Sequence, residues 1–256
     1  MSNAQLDFDG DVARITLTRR SRANALDSAT TAALRDAVRQ SADANPRVLV
    51  VTGDGVFCGG ADIREMEILD GVAAERFIRG LHKAFLAIRE HPAPVVAGVR
   101  GAALGAGLEL LVSCDLSVAA DDAIFGMPEP HVGLPSVIEA ALLPGVVGLV
   151  RARELLFLGD PIDAAEAARI GLVGEVVPAA DLEAAVNAKV ERLLRLSPEA
   201  LALQKRLIGR WLNLPLDQAV EAGVAAFRAA YGTGAPKREM EKFWRRRARS
   251  ADEEGS

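Results

Sequence analysis

An α/β fold with an all-helical C-terminal portion is what this sequence predicts, on three observations. Short apolar, β-branched runs alternate with helix-period segments up to about residue 195. Amphipathic segments near residues 181–196, 198–212 and 216–231 then follow one another with no strand between them. Residues 95–115 read V-V-A-G-V-R-G-A-A-L-G-A-G-L-E-L-L-V-S-C-D, which is a buried strand, a glycine turn and an apolar helix.

Taken in order, residues 6–8 and 12–18 flank Asp9-Gly10-Asp11, the signature of a tight hairpin. The basic cluster Arg19-Arg20-Ser21-Arg22 follows; it suits either a solvated loop or a phosphate contact. Residues 28–42 are predicted helical, with Leu34, Ala37 and Val38 on one face, and residues 47–52 form a buried strand. That strand runs into a second glycine-rich segment, residues 53–63. Ile78, Leu81, Phe85 and Ile88 fall at helical spacing and predict a helix over 71–90. After the central stretch, 116–119 is a short strand, and 121–135, with Pro128, Pro130 and Pro135, is a loop. Residues 138–149, 152–158 and 164–170 are helical, the last closed by Gly171, and 174–177 is a strand. Residues 236–250 are strongly basic and lead into a polar tail.

With 256 residues, 50% of them hydrophobic and 25% charged, the chain can bury a sizeable core. Its net charge of -5 implies no general affinity for nucleic acid. Two cysteines, Cys58 and Cys114, form no Cys-x-x-Cys pair, and three histidines complete a donor set that predicts no metal site. Residues 1–5 lack a basic region leading into an apolar one, and no run of about 18 apolar residues exists. A cytoplasmic, soluble protein with no membrane partner is therefore expected.

The chemistry concentrates in the central stretch. The first turn of a helix leaves N–H groups unpaired, and the helix dipole adds positive potential there. Glu109 lies close to that turn, among leucines, where a carboxylate needs a partner to offset desolvation. Gly105 and Gly107 fit the first two places of the dinucleotide-binding fingerprint, but Leu110 takes the third, which argues against a Rossmann cofactor turn.

Three separated segments coincide in one pattern: Phe57-Cys58-Gly59-Gly60-Ala61-Asp62-Ile63, then Gly101-x3-Gly105-Ala106-Gly107-Leu108-Glu109 through Cys114-Asp115, then Phe125-Gly126-Met127-Pro128-Glu129-x3-Gly133. In order and spacing they resemble the crotonase superfamily of enoyl-CoA hydratases, isomerases and relatives. The likeness also takes in Asn24-Ala25-Leu26-Asp27 and Gly159-Asp160 through Val173.

The resemblance implies a crotonase-like spiral of β-β-α units over residues 1–195. A helical subdomain over 196–256 would serve oligomerisation and close the site, in a homotrimer or a dimer of trimers. It implies an acyl-CoA thioester as substrate and no separate cofactor, coenzyme A being part of the substrate. By matching position, Ala61 and Ala106 N–H would form the oxyanion hole, and Glu109 and Glu129 would be the catalytic pair. Arg22, Ala23, Ala25, Gly60, Asp62, Ile63, Arg64, Gly105, Pro128 and Gly133 would line the substrate and CoA site. Arg22, Arg64 and the Lys237–Arg249 run are the candidates to meet the CoA phosphates, and residues 64–90 with Met127 to line the acyl pocket.

The implied activity is reversible hydration of a 2-enoyl-CoA to a 3-hydroxyacyl-CoA. Other reactions of the same scaffold (double-bond isomerisation, a lyase or hydrolase step) and non-catalytic acyl-CoA binding are the alternatives. Isomerases of the family commonly keep only the glutamate equivalent to Glu129, so the presence of Glu109 favours water chemistry. The sequence departs from the family after the second glutamate, where Gly133-Leu-Pro-Ser-Val-Ile-Glu139-Ala-Ala-Leu-Leu-Pro144 stands in place of the common Gly-x5-Gly-Gly-Thr-Gln-Arg-Leu. Glu139 is expected on a helix surface.

Overall fold

The computed structural model describes residues 3–254, and their side chains through residue 247. The chain forms two compact units, Met1–Leu193 and Leu194–Ser256.

The first unit opens with the predicted hairpin, β1 (Ala4–Asp9) and β2 (Val12–Leu17), closed at Asp9↔Val12. Asp27 then accepts a hydrogen bond from Thr30 N (2.7 Å) and starts α1 (Ser28–Asp43), which leads to β3 (Val48–Gly53). A one-turn helix, α2 (Ile63–Met66), precedes α3 (Gly71–Arg89), whose N-cap Asp70 accepts from Ala73 N (2.7 Å). Next come β4 (Val95–Val99), β5 (Ala102–Leu104), α4 (Ala106–Val112), β6 (Leu116–Ala120) and β7 (Ile124–Gly126). α5 (Leu143–Leu158), β8 (Ile162–Asp163), α6 (Ala164–Arg169), β9 (Val176–Val177) and α7 (Leu182–Leu194) follow.

Two sheets organise these strands. The larger has the order β1-β2-β3-β4-β6-β9 and is parallel except for the β1–β2 hairpin; the smaller has the order β5-β7-β8. After β4 the chain visits the small sheet with β5 before α4, and after β6 it does the same with β7. After β3 it makes the isolated bridge Cys58↔Ala103 beside β5. This alternation, strand in one sheet, strand in the other, then helix, is the expected spiral. β4 is buried at every residue, which is why it reads as an unbroken apolar run. Leu34 and Val38 from α1 and Leu81, Phe85 and Ile88 from α3 join Ile15, Leu49, Val51 and Val95 in one core cluster.

In the second unit, α8 (Pro198–Trp211), α9 (Leu216–Gly232) and α10 (Ala235–Glu254) succeed one another. Ser197 caps α8, and Trp211 Nε1 donates to the Ala219 carbonyl of α9 (3.0 Å). Among the described residues, no helix is long and apolar enough to cross a membrane.

Three local expectations change. Residues 121–135 contain β7 and a 3-10 helix, Glu129–Val132, in place of a plain loop; a three-residue strand is too short to show a period. The helical stretch from residue 138 starts as a 3-10 helix, Ile138–Leu142, and bends within α5 at Gly148, whose φ of 78° and ψ of 156° only glycine adopts readily. The strand expected over 174–177 is confined to Val176–Val177.

Candidate active site

Backbone pairing brings the two glycine-rich segments together. Phe57 N donates to Arg100 O (2.8 Å), Cys58 N to Ala102 O (2.9 Å) and Leu104 N to Cys58 O (3.1 Å). Where this ladder ends, residues 59–61 and 105–107 lie side by side. A methyl group on Gly60 would stand 2.9 Å from Leu104 O and 3.9 Å from Ala106 N, and one on Gly107 2.2 Å from Cys58 O. Only glycine permits that approach.

The pairing also decides which amides stay open. Leu26 N donates to Gly60 O (2.8 Å), and Asp62 N donates to Leu26 O (3.0 Å). Alternation along the extended chain turns the intervening Ala61 N–H away from Leu26. Ala106 is the first residue of α4, where an N–H has no intrahelical partner. Neither the Ala61 nor the Ala106 N–H meets an acceptor among the described residues.

The two glutamates reach the same place from neighbouring strands. β5 and β7 run parallel with Leu104 opposite Gly126, and Gly105 N donates to Gly126 O (2.8 Å). The segments leaving these strands, one carrying Glu109 and the other Glu129, therefore start adjacent. A methyl group on Gly105 would lie 2.5 Å from Glu129 Oε1, so that carboxylate rests against the turn entering α4. Its other oxygen, Oε2, accepts from Ser136 Oγ (2.9 Å). Glu109 is buried, and its Oε1 accepts from Ala140 N (2.9 Å). Burial pushes the Glu109 carboxyl up to about 8; the Ala140 N–H opposes the rise, and the charges of Glu129 and Glu139 add to it.

The remaining candidate residues divide by place. Ala23 takes a left-handed φ of 49°, and its carbonyl accepts from Gly59 N (2.8 Å), so it backs the first glycine loop. Ala25 is half-buried and offers its carbonyl to Arg19 Nη1 (2.9 Å). Asp62 is buried and its carboxylate is taken: Arg19 Nη1 lies 2.6 Å from Oδ2, and Arg64 N donates to Oδ1 (3.0 Å). Burial alone would raise the Asp62 carboxyl, but the hydrogen bonds from Arg19 and Arg64 N hold it below the ordinary range. Ile63, Arg64 and Arg22 are exposed. Pro128 and Gly133 bracket the 3-10 helix that opens with Glu129, and Gly133 ends it with a φ of 74°. The Lys237–Arg249 run lies on α10 of the second unit, where Arg238 pairs with Glu199 (2.6 Å); the Arg249 side chain falls outside the described residues.

Glu139 contradicts its sequence reading. It is not on a surface: its side chain is 1% exposed, with His82 Nδ1 2.9 Å and Arg89 Nη1 3.5 Å from Oε1. The expectation took residues 138–149 for a regular helix with Glu139 on its surface. The segment is a 3-10 helix entered through Ile138 at a φ of 45°, and that left-handed residue turns the Glu139–Ala140 edge toward α3 and α4.

Cys58 is buried, and burial pushes its thiol up to about 12, far from a reactive thiolate. Among the described residues, no group of three or more His, Cys, Asp or Glu side chains could hold a metal ion.

The enoyl-CoA hydratase/isomerase family model matches residues 7–251. The short-chain-enoyl-CoA hydratase of Clostridium acetobutylicum is 32% identical over 251 residues, 96% of each chain. The crotonyl-CoA hydratase of Syntrophomonas wolfei is 35% identical over 250 residues, again 96% of each. A Thermobifida fusca protein solved in complex with CoA is 32% identical, matches 92% of this chain and 95% of its own, and superposes with a TM-score of 0.83. Family model, relatives and fold agree over nearly the whole length, and the chain belongs to the enoyl-CoA hydratase/isomerase family.

Proposed function

We propose that this protein is an enoyl-CoA hydratase, a hydro-lyase that adds water reversibly to a 2-enoyl-CoA thioester. The observation that carries this reading is the convergence of two carboxyls, Glu109 and Glu129, on the turn whose Ala106 N–H, with that of Ala61, lacks an acceptor.

The reaction follows from the parts. The thioester oxygen accepts from Ala61 N and Ala106 N, at the positive end of α4, where enolate charge develops. Glu109 takes a proton from a water held between the two carboxyls, and the hydroxide oxygen bonds to the β-carbon. The C=C electron pair moves onto the thioester, and the enolate collapses by taking a proton from Glu129 at the α-carbon. The proton gained by Glu109 returns to Glu129 through the next water. Isomerisation requires a carboxyl that moves one proton; Glu109 supplies the second group that water addition needs.

Arg22 and Arg64 are the groups we assign to the CoA phosphates, since both are exposed cations flanking the glycine loop in sequence. The exposed apolar side chains of α9, Leu216, Val220, Val224, Phe227 and Tyr231, recur at helical spacing and support assembly as a trimer or a dimer of trimers.

Glu109 must be ionised to take a proton from water, and burial holds its carboxyl up at about 8. The kcat/KM for hydration is therefore expected to rise as pH rises toward about 8; a profile that falls through that point would contradict Glu109 as the base. The function itself is tested by incubating the purified protein with crotonyl-CoA. The expected result is loss of enoyl ultraviolet absorbance with formation of 3-hydroxybutyryl-CoA. Unchanged substrate, or free CoA, would overturn it.

A further inference from the structure

We propose that Glu139 is a positioning residue for Glu109, clamped to α3 by His82 and Arg89 so that the Ala140 N–H stays on the Glu109 carboxylate. The inference rests on the hydratase reading above and names a residue that reading does not use.

Four observations carry it. The turn that presents Ala140 N is strained, because Ile138 is β-branched and sits at a φ of 45°. Such a conformation persists only where its surroundings over-determine it. The clamp supplies that: His82 and Arg89 lie about two turns apart on α3 and both reach Glu139 Oε1, at 2.9 and 3.5 Å. The next residue then donates its N–H to Glu109 Oε1 at 2.9 Å.

The fourth observation separates this role from plain packing. Glu139 Oε2 is buried and has no hydrogen-bond partner among the described residues. A structural tether made by a neutral side chain would avoid the desolvation of a carboxylate with an unsatisfied oxygen. What a carboxylate adds is negative charge near Glu109, and that charge, after burial, is one of the influences raising the Glu109 carboxyl. Glu139 thus fixes the geometry of Glu109 and strengthens it as a base, without touching substrate.

The test is E139Q, alone and combined with E109Q, assayed on crotonyl-CoA hydration beside H82A. Glutamine keeps the shape and an acceptor for His82 and Arg89 but removes the charge. The expected result is a kcat lowered about tenfold, because Glu109 without the neighbouring charge is a weaker base, with KM within about twofold. In the E109Q background E139Q should add no further loss, because its effect passes through Glu109. H82A should lower kcat less, in the same direction; its half-exposed site makes it the deciding variant if E139Q does not fold. A folded E139Q with wild-type kcat, an equal rise in KM, or the same loss in the E109Q background would each overturn the proposal. So would H82A at wild-type kcat where E139Q is not recovered. Absence of hydration by the wild-type protein would instead sink the hydratase reading, and this inference with it.

Discussion

Replacing Glu109 by glutamine is expected to lower kcat for crotonyl-CoA hydration by a factor of about 100 or more, the scale of a lost general base. The structure makes the comparison clean. The glutamine carbonyl oxygen can still accept the Ala140 N–H, so volume and that hydrogen bond to the side chain survive. Stability should hold or improve. Burial pushes the Glu109 carboxyl up to about 8 from 4.5 as an ordinary carboxyl, so ionising it disfavours the fold as pH rises between those values. Glutamine never ionises and avoids that cost. Glu129→Gln should lower kcat comparably while leaving the Ser136 hydroxyl a partner. If Glu109→Gln kept wild-type hydration while Glu129→Gln did not, Glu109 would have no part in handling water, and isomerase chemistry would gain.

Ala106→Pro is the second large effect. Proline removes the N–H and sets its ring carbon where the thioester oxygen must sit. The position is the first of α4, where proline is sterically tolerated because no intrahelical bond is lost. Loss of one oxyanion donor typically costs a factor of about 100 to 1,000 in kcat, and the ring makes this the lower bound. Glu109 and Glu129 stay in place, so their pH dependence, if any activity remains, should be unaltered. Circular dichroism and kcat measured together decide the matter: a folded variant with near-normal turnover would falsify Ala106 as a donor.

Much of this was legible before any coordinates. Central parallel strands are buried on both faces, so β4 announces itself as an apolar run between proline and glycine. Gly171, read as the end of the helix over 164–170, does follow α6 (Ala164–Arg169) at a φ of 78°. The two glycine-rich segments stood out in the sequence, and the structure identifies what approaches Gly60, Gly105 and Gly107: Leu104 O, the Glu129 carboxylate and Cys58 O. What stayed hidden is non-local. Nothing near Asp62 says that Arg19, 43 positions earlier, will take its carboxylate. Nothing near Glu139 says that His82 and Arg89 will reach it across 57 and 50 positions. One left-handed residue, Ile138, reverses the face on which Glu139 lies, and a β-branched side chain is the last to suggest such a turn.

The central claim is that this site adds one water molecule across the double bond, with oxygen going to the β-carbon and a solvent-derived proton to the α-carbon. Mass spectrometry of the product made from crotonyl-CoA, once in heavy-oxygen water and once in deuterium oxide, tests it most directly. The account predicts 3-hydroxybutyryl-CoA bearing one solvent oxygen on the β-carbon and one non-exchangeable deuterium on the α-carbon. An acyl product carrying solvent deuterium but no solvent oxygen would mean that the carboxyls move protons without adding water, and would contradict it.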